Sequence, residues 1–313
     1  MKKLVILLVI ILPNFLEASD TDNYLNYHKE IIRAEEYIVK KQFAESLKIY
    51  RLLSEEYEHL FLRDCKVAAQ LAAYTGDAEN LFFFLERGMK KGWTLKEIIR
   101  NRSFKKFKYD KRWAYLESNQ DRFKENFYQG INTQLRTEIR KMFVKDQKRA
   151  LRVALTPIKK WRERYTKCKF VPNNRVQVRR INKIIDQFGY PGEKIIGDKS
   201  WATVIISHNE HDTIYYELES KLYSAFERGE ISPIDLAIIE TWRTGVNTGW
   251  KDKSFIIFKE QIGVQEATHA DSLRQSIGLR NIELNNKLIQ IQNELKMNFY
   301  LSPFHGGLIT IKE

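Results

Sequence analysis

QFAESLKIYRLLSEEY, residues 42–57, sets Phe43, Ala44, Leu47, Tyr50 and Leu53 at the spacing of one helix face. GDAENLFFFLERGMKKG, residues 76–92, repeats the layout. Ser46, Tyr50 and Leu53 align with Leu81, Leu85 and Gly88, each 35 residues further on. That offset lies close to the roughly 34-residue period of a stacked helix–turn–helix unit. The same pattern predicts four amphipathic helices over 24–91, with a turn at Gly76-Asp77 and the small Ala78 behind it. Two helix pairs cannot bury both ends of a stack, so a cap is required. The next stretch, 93–119, offers Phe104, Phe107, Trp113, Tyr115 and Leu116 for that purpose.

Residues 24–120 therefore resemble degenerate tetratricopeptide repeats, in period and pattern rather than in the signature residues. The resemblance implies either a concave groove for a protein partner or a brace for the C-terminal half of the chain. With so few repeats the brace carries more weight.

Of the 313 residues 43% are apolar and 12% aromatic, which suits a packed interior and excludes a disordered chain. At the start, Lys2 and Lys3 precede an unbroken apolar run from Leu4 to Leu12, with a small residue at Ala18. The run is too short to span a bilayer, and the layout is that of a secretory signal over 1–18. Export to the periplasm or the medium is expected, and no later run reaches spanning length, so no transmembrane segment is expected in the mature chain. Cys65 and Cys168 are read as two separate thiols.

The formal net charge is +13, and residues 136–183 hold the whole surplus: 17 Lys and Arg against Glu138, Asp146 and Glu163. Export sets nucleic acid aside as a partner. It leaves polyanionic surface glycans, phosphorylated lipids or an acidic protein, with a merely solvated basic face as the plainer alternative.

Chemistry-bearing residues fall on two stripes. In TQLRTEIRKMFVKDQKRALRVAL, residues 133–155, Leu135, Ile139, Met142, Asp146, Arg149 and Val153 step by four and three. Asp146 and Arg149 thus interrupt an apolar seam as a pair able to bond along the helix. In the stretch 201–222, read as one helix, Trp201, Val204, His208, His211, Tyr215, Leu218 and Leu222 follow the same step. Inward polar groups need partners, so the two stripes are expected to supply one another in a polar cleft.

Three uses of that cleft stay open: a hydrogen-bonded seam, an acid–base pair of Asp146 and His208, and a metal site from His208, His211 and Asp212. They carry weight in that order, and no metal is assigned, because HNEHD is one residue short of an HxxEH motif. Ser207 and His208 are helix neighbours that cannot face each other. No G-x-S-x-G elbow, P-loop or dinucleotide fingerprint appears, so no cofactor is expected.

The marks DQKR (Asp146, Gln147, Arg149), FGYPGEKIIG (Gly189, Pro191, Gly197), His208, ERGEI ahead of a helix with Ala237, and LRQSIGL (Arg274, Gly278, Leu279) keep a definite order. In these, residues 133–290 resemble an uncharacterised helical domain of exported Bacteroidetes proteins, domain of unknown function 6624. The resemblance implies a fold and a cleft and supplies no reaction. Two positions depart from its pattern: Thr241 and Trp242 stand where Asp-Arg is usual, with Arg243 one step later, and Lys259, Glu260 and Gln261 replace Gly-Thr-Gln.

GYPG is read as a turn, KSFIIFKEQ as a short strand, and 273–297 as helix broken near Gly278. Together these readings give an all-α protein with a signal at 1–18, tetratricopeptide-like hairpins at 24–120, a basic helical domain at 130–300 and a flexible tail at 301–313. The expected function is a protein-interaction or anionic-ligand-binding module using Asp146, Gln147, Arg149, His208 and His211. The alternative is a hydrolase in which Asp146 and His208 form a general acid–base pair.

Overall fold

The computed structural model describes residues 23–209, 214–252, 254–256, 261–301 and 307–312. Residues 1–18, where a signal is expected, and His211 and Asp212 lie outside the described residues.

Four consecutive helices open the chain: α1 (Tyr24–Val39), α2 (Phe43–Glu56), α3 (Leu62–Thr75) and α4 (Ala78–Lys90), each packed on the next. Their ends follow from local chemistry. The Asn23 side chain accepts the Leu25 N–H, Gly76 closes α3 at φ +81°, and Asp77 caps α4 through the Asn80 N–H at 3.0 Å. α5 (Leu95–Arg100) starts on a Thr94–Glu97 capping box. A 3₁₀ turn (Arg102–Phe107), α6 (Lys111–Ser118) and α7 (Gln120–Gln129) come next.

The second part runs through α8 (Thr133–Leu155), α9 (Lys159–Tyr165), a π turn (Thr166–Phe170), α10 (Val171–Phe188), α11 (Glu193–Ile196) and α12 (Trp201–Ser207). It continues with α13 (Ile214–Glu227), α14 (Pro233–Thr248), β1 (Gln261–Gly263), α15 (Val264–Ser276), α16 (Ile282–Leu295) and β2 (Thr310–Lys312). The fold is all-α, with two three-residue strands among the described residues.

One core joins α1–α4 to Phe104, Trp113 and Leu116, the cap the sequence proposed. Tyr115 is not part of it, being 43% exposed. The same core takes in Leu288 and Ile291 of α16 together with Met297 and Phe299, counted with the second part in the sequence reading, and Leu301, counted there with the tail. A second core gathers α8, α10, α12, α13 and α14 around Ile139, Ile181, Ile205, Leu218 and Leu236.

The two parts meet in a polar junction. Buried Glu35 on α1 takes hydrogen bonds from Arg63 on α3 and, at 2.9 Å, from Arg280 between α15 and α16. Glu193 of α11 accepts the Leu62 N–H at 2.6 Å, satisfying a donor at the start of α3.

Three expectations are corrected. The stretch 201–222 is not one helix: α12 ends at Ser207, and His208 is its C-cap, where the last turn tightens through an Asn209 N–H to Ile206 carbonyl bond of 2.9 Å. The strand expected in KSFIIFKEQ reduces among the described residues to Gln261–Gly263, while Ser254 and Phe255 form a turn and 257–260 lie outside them. The flexible tail also gives way where it is described. The Asn286 side-chain amide clasps the Ile309 backbone in both directions, at 2.7 and 3.0 Å, and Thr310–Lys312 pair in parallel with β1. The break at 273–297 falls at Ile277–Asn281, as the pattern predicts, with Gly278 at φ +61° against the Cβ of His28.

Candidate functional site

Asp146 sits mid-way along α8, one helical step beyond Ile139 and Met142 on the face that enters the second core. Its carboxylate is fully buried. His208, placed by the end of α12, comes to it across the core, with Nδ1 and Asp146 Oδ2 2.7 Å apart. A carboxylate only accepts, so Nδ1 is the donor, and in the neutral ring Nε2 is the nitrogen with the lone pair. The Gln147 amide donates to the same oxygen at 3.2 Å.

The imidazole is wedged edge-on between Phe170, at a centroid distance of 5.6 Å, and Trp242, at 6.0 Å, and Trp250 packs on Trp242 in turn. The His208 side chain remains 17% accessible, so the ring is held rigidly yet reaches the surface. No hydrogen bond joins its Nε2 to a described residue.

Several buried side-chain polar atoms of the second part have no partner among the described residues. They are Asp146 Oδ1, both amide atoms of Asn209, Thr241 Oγ1 and Asn174 Oδ1. Asn209 follows His208 directly, Thr241 precedes Trp242, and Asn174 donates through Nδ2 to the Ile205 carbonyl at 2.7 Å. Buried polar groups are ordinarily paired, and of these atoms Asp146 Oδ1 belongs to the carboxylate–imidazole pair itself while the Asn209 amide follows it in sequence.

The sequence singled out Asp146, Gln147 and His208, and the fold brings these three together. Arg149 is not among them. It has turned toward the α9 side, where Nη1 donates to the Lys169 carbonyl at 2.9 Å, and no ion pair joins it to Asp146. The expected bond along the helix is replaced: the buried carboxylate pairs with the half-buried His208 across the core, and the Arg149 guanidinium pairs with a backbone carbonyl instead. His211 lies outside the described residues. Phe170, Asn174, Asn209, Thr241 and Trp242 escaped the sequence reading as site residues. Only Thr241 and Trp242 left a trace, as a departure from the family pattern. Among the described residues no three His, Cys, Asp or Glu side chains group as a metal site.

Two hollows lie elsewhere, and neither is lined by Asp146 or His208. One, of about 550 Å³ at the junction, is walled by Glu35, Arg63, Arg280 and Asp235. The other, of about 570 Å³, is walled by His59, Lys91 and Glu193. In the first, Glu35, Arg63 and Arg280 are spent on one another. Burial tends to raise the Glu35 carboxyl, but Arg280 and Arg63 outweigh it and hold its pKa below the usual value. Arg63 and Arg280 also donate to the carbonyls of Phe299 and Leu301, at 3.1 and 2.7 Å. The arginine of LRQSIGL is structural in the same way: Arg274 Nε donates to the Phe255 carbonyl at 2.8 Å and Nη1 to that of Arg280 at 3.1 Å. Cys65 is buried, Cys168 is exposed, and both are free thiols.

An all-α chain carrying a buried carboxylate–imidazole pair is the class these observations define. No family model, curated protein or solved structure matches it.

Proposed function

We propose that the second part of the chain is a hydrolase-type domain in which His208 is the general base and Asp146 the group that orients it. The observation that carries this reading is the 2.7 Å contact from His208 Nδ1 to a fully buried carboxylate, which leaves Nε2 as the basic nitrogen of the neutral ring. In this reading the nucleophile is a water molecule. His208 Nε2 takes a proton from that water as its oxygen forms the new bond to an acyl or phosphoryl centre. The leaving group then departs with the proton returned by the same nitrogen. Anion capture by Arg149, the first expectation, loses ground because that guanidinium is engaged away from His208.

The protein is proposed to work outside the cytoplasm, on the strength of Lys2, Lys3 and the Leu4–Leu12 run. Among the described residues, no helix is long and apolar enough to cross a membrane. The tetratricopeptide-like helices are proposed as a brace, which their shared core with α16 favours. Likeness to domain of unknown function 6624 is proposed on the ordered marks from DQKR to LRQSIGL; Asp146 and His208, two of them, lie together.

The test is a panel of chromogenic carboxylic, phosphoric and amide esters offered to the wild type, His208→Gln and Asp146→Asn. Turnover of one substrate class, falling about 10²–10⁴-fold in kcat in both variants at unchanged melting temperature, is expected. Turnover that survives His208→Gln, or none with any class, contradicts the reading.

A further inference from the structure

The α8–α9 hairpin is built differently from the rest of the molecule. After Asp146 no residue of α8 is buried, and α9 has no buried residue at all. The hairpin nevertheless has a defined shape. Arg149 pins α8 to the Lys169 carbonyl, and the Arg152 guanidinium lies over the Tyr165 ring, 5.1 Å from its centroid.

What it shows to solvent is apolar at the end and basic along the sides. Leu155 is 72% exposed, Trp161 62% and Leu151 58%, with Ile158 between them at the turn. At 100° per residue, Val144, Leu151 and Leu155 fall within about 40° of one another and roughly 160° from Asp146, on the face turned away from the core. This ridge is therefore not a misplaced core face. From Lys148 to Lys169 nine Lys and Arg stand against Glu163 alone. Large apolar side chains standing clear of a soluble core mark a contact surface.

We propose that this hairpin docks on an anionic lipid bilayer, with Leu155, Ile158 and Trp161 entering the headgroup–acyl boundary. Lys148, Arg152, Lys159, Lys160, Arg162 and Arg164 meet the phosphates around them. Charge complementarity and the apolar tip together select this partner. A nucleic acid or an acidic protein surface would answer the charge but leave the tip in water. Tryptophan over a basic rim suits the bilayer interface, where its ring is half buried and its N–H stays wet. The proposal is independent of the acid–base reading, since it uses none of the residues around His208.

Vesicle co-flotation tests it. A chain beginning at Ser19 retains every described element and removes any contribution of the Leu4–Leu12 run. It is mixed with vesicles of phosphatidylcholine alone, or of phosphatidylcholine with about one third phosphatidylglycerol. Binding at least tenfold stronger to the anionic vesicles is expected, abolished by high salt. A further drop of about tenfold is expected in Leu155→Ser/Trp161→Ser, whose exposed positions leave the melting temperature unchanged. Equal affinity for both vesicle types, or binding indifferent to the Ser pair, overturns the proposal. So does capture of polyglutamate without vesicles, or a dimer that the Ser pair dissolves.

Discussion

His208 and Glu193 are both held by neighbours from distant parts of the chain, and both side chains keep some access to solvent, 17% and 16%. At Glu193, on α11 against the start of α3, burial raises the carboxyl to about 7 against the pull of Lys91. In the fold it keeps a proton that the unfolded chain releases near 4.5. Between those values the native state therefore binds more protons than the unfolded one, and stability is lost as the pH rises from 4.5 toward 7. Glu193→Gln removes that loss. Its stability relative to wild type should climb across this window in urea titrations and level off above it. A difference independent of pH would contradict the assignment. His28, on the other side of the junction, has the opposite sign. Burial, then Arg63, pushes its pKa down to about 3, so its contribution is lost as the pH falls below the unfolded value of 6.5.

The long helix α8 serves two environments, and its two ends should respond differently to the same kind of change. Ile139 is fully buried in the second core, so Ile139→Ala should cost about 2–5 kcal/mol in denaturant unfolding. Leu155→Ala, on the exposed hairpin, should stay within about 0.5 kcal/mol of wild type. Equal costs would mean that the hairpin is packed against the body.

The same helix shows what the sequence made legible. The step from Leu135 through Ile139 and Met142 located Asp146 on the inward face, because burial of a helix stripe is written in its period. Helices α1–α4 were legible for the same reason, with Gly76-Asp77 as punctuation. The end of α12 was not legible. No Gly or Pro marks the His208–Asn209 break, and the periodicity continues in phase into α13, so two helices read as one. Asn209, Thr241 and Asn174 were equally invisible, since a polar residue is left unpaired by long-range packing rather than by its neighbours in sequence. The course of Arg149 was decided likewise, by a carbonyl twenty residues away.

At the scale of the whole molecule, the first core is completed by chain from the far end. Leu288 and Phe299, fully buried, close the stack begun by Tyr27 and Leu53. Arg280 reaches back to Glu35 across the same junction. The two parts are thereby locked together, and the second core is left to hold α8 and α12 in fixed relation, which is what brings Asp146 to His208. The central claim is that this buried carboxylate fixes the tautomer of the imidazole. A long-range ¹H–¹⁵N correlation spectrum of the histidine rings measures it directly. The account predicts that His208 carries its proton on Nδ1, with a low-field resonance that is lost in Asp146→Asn while Nε2 stays unprotonated in the wild type. A proton on Nε2 in the neutral ring, or a His208 signal indifferent to Asp146→Asn, would contradict it.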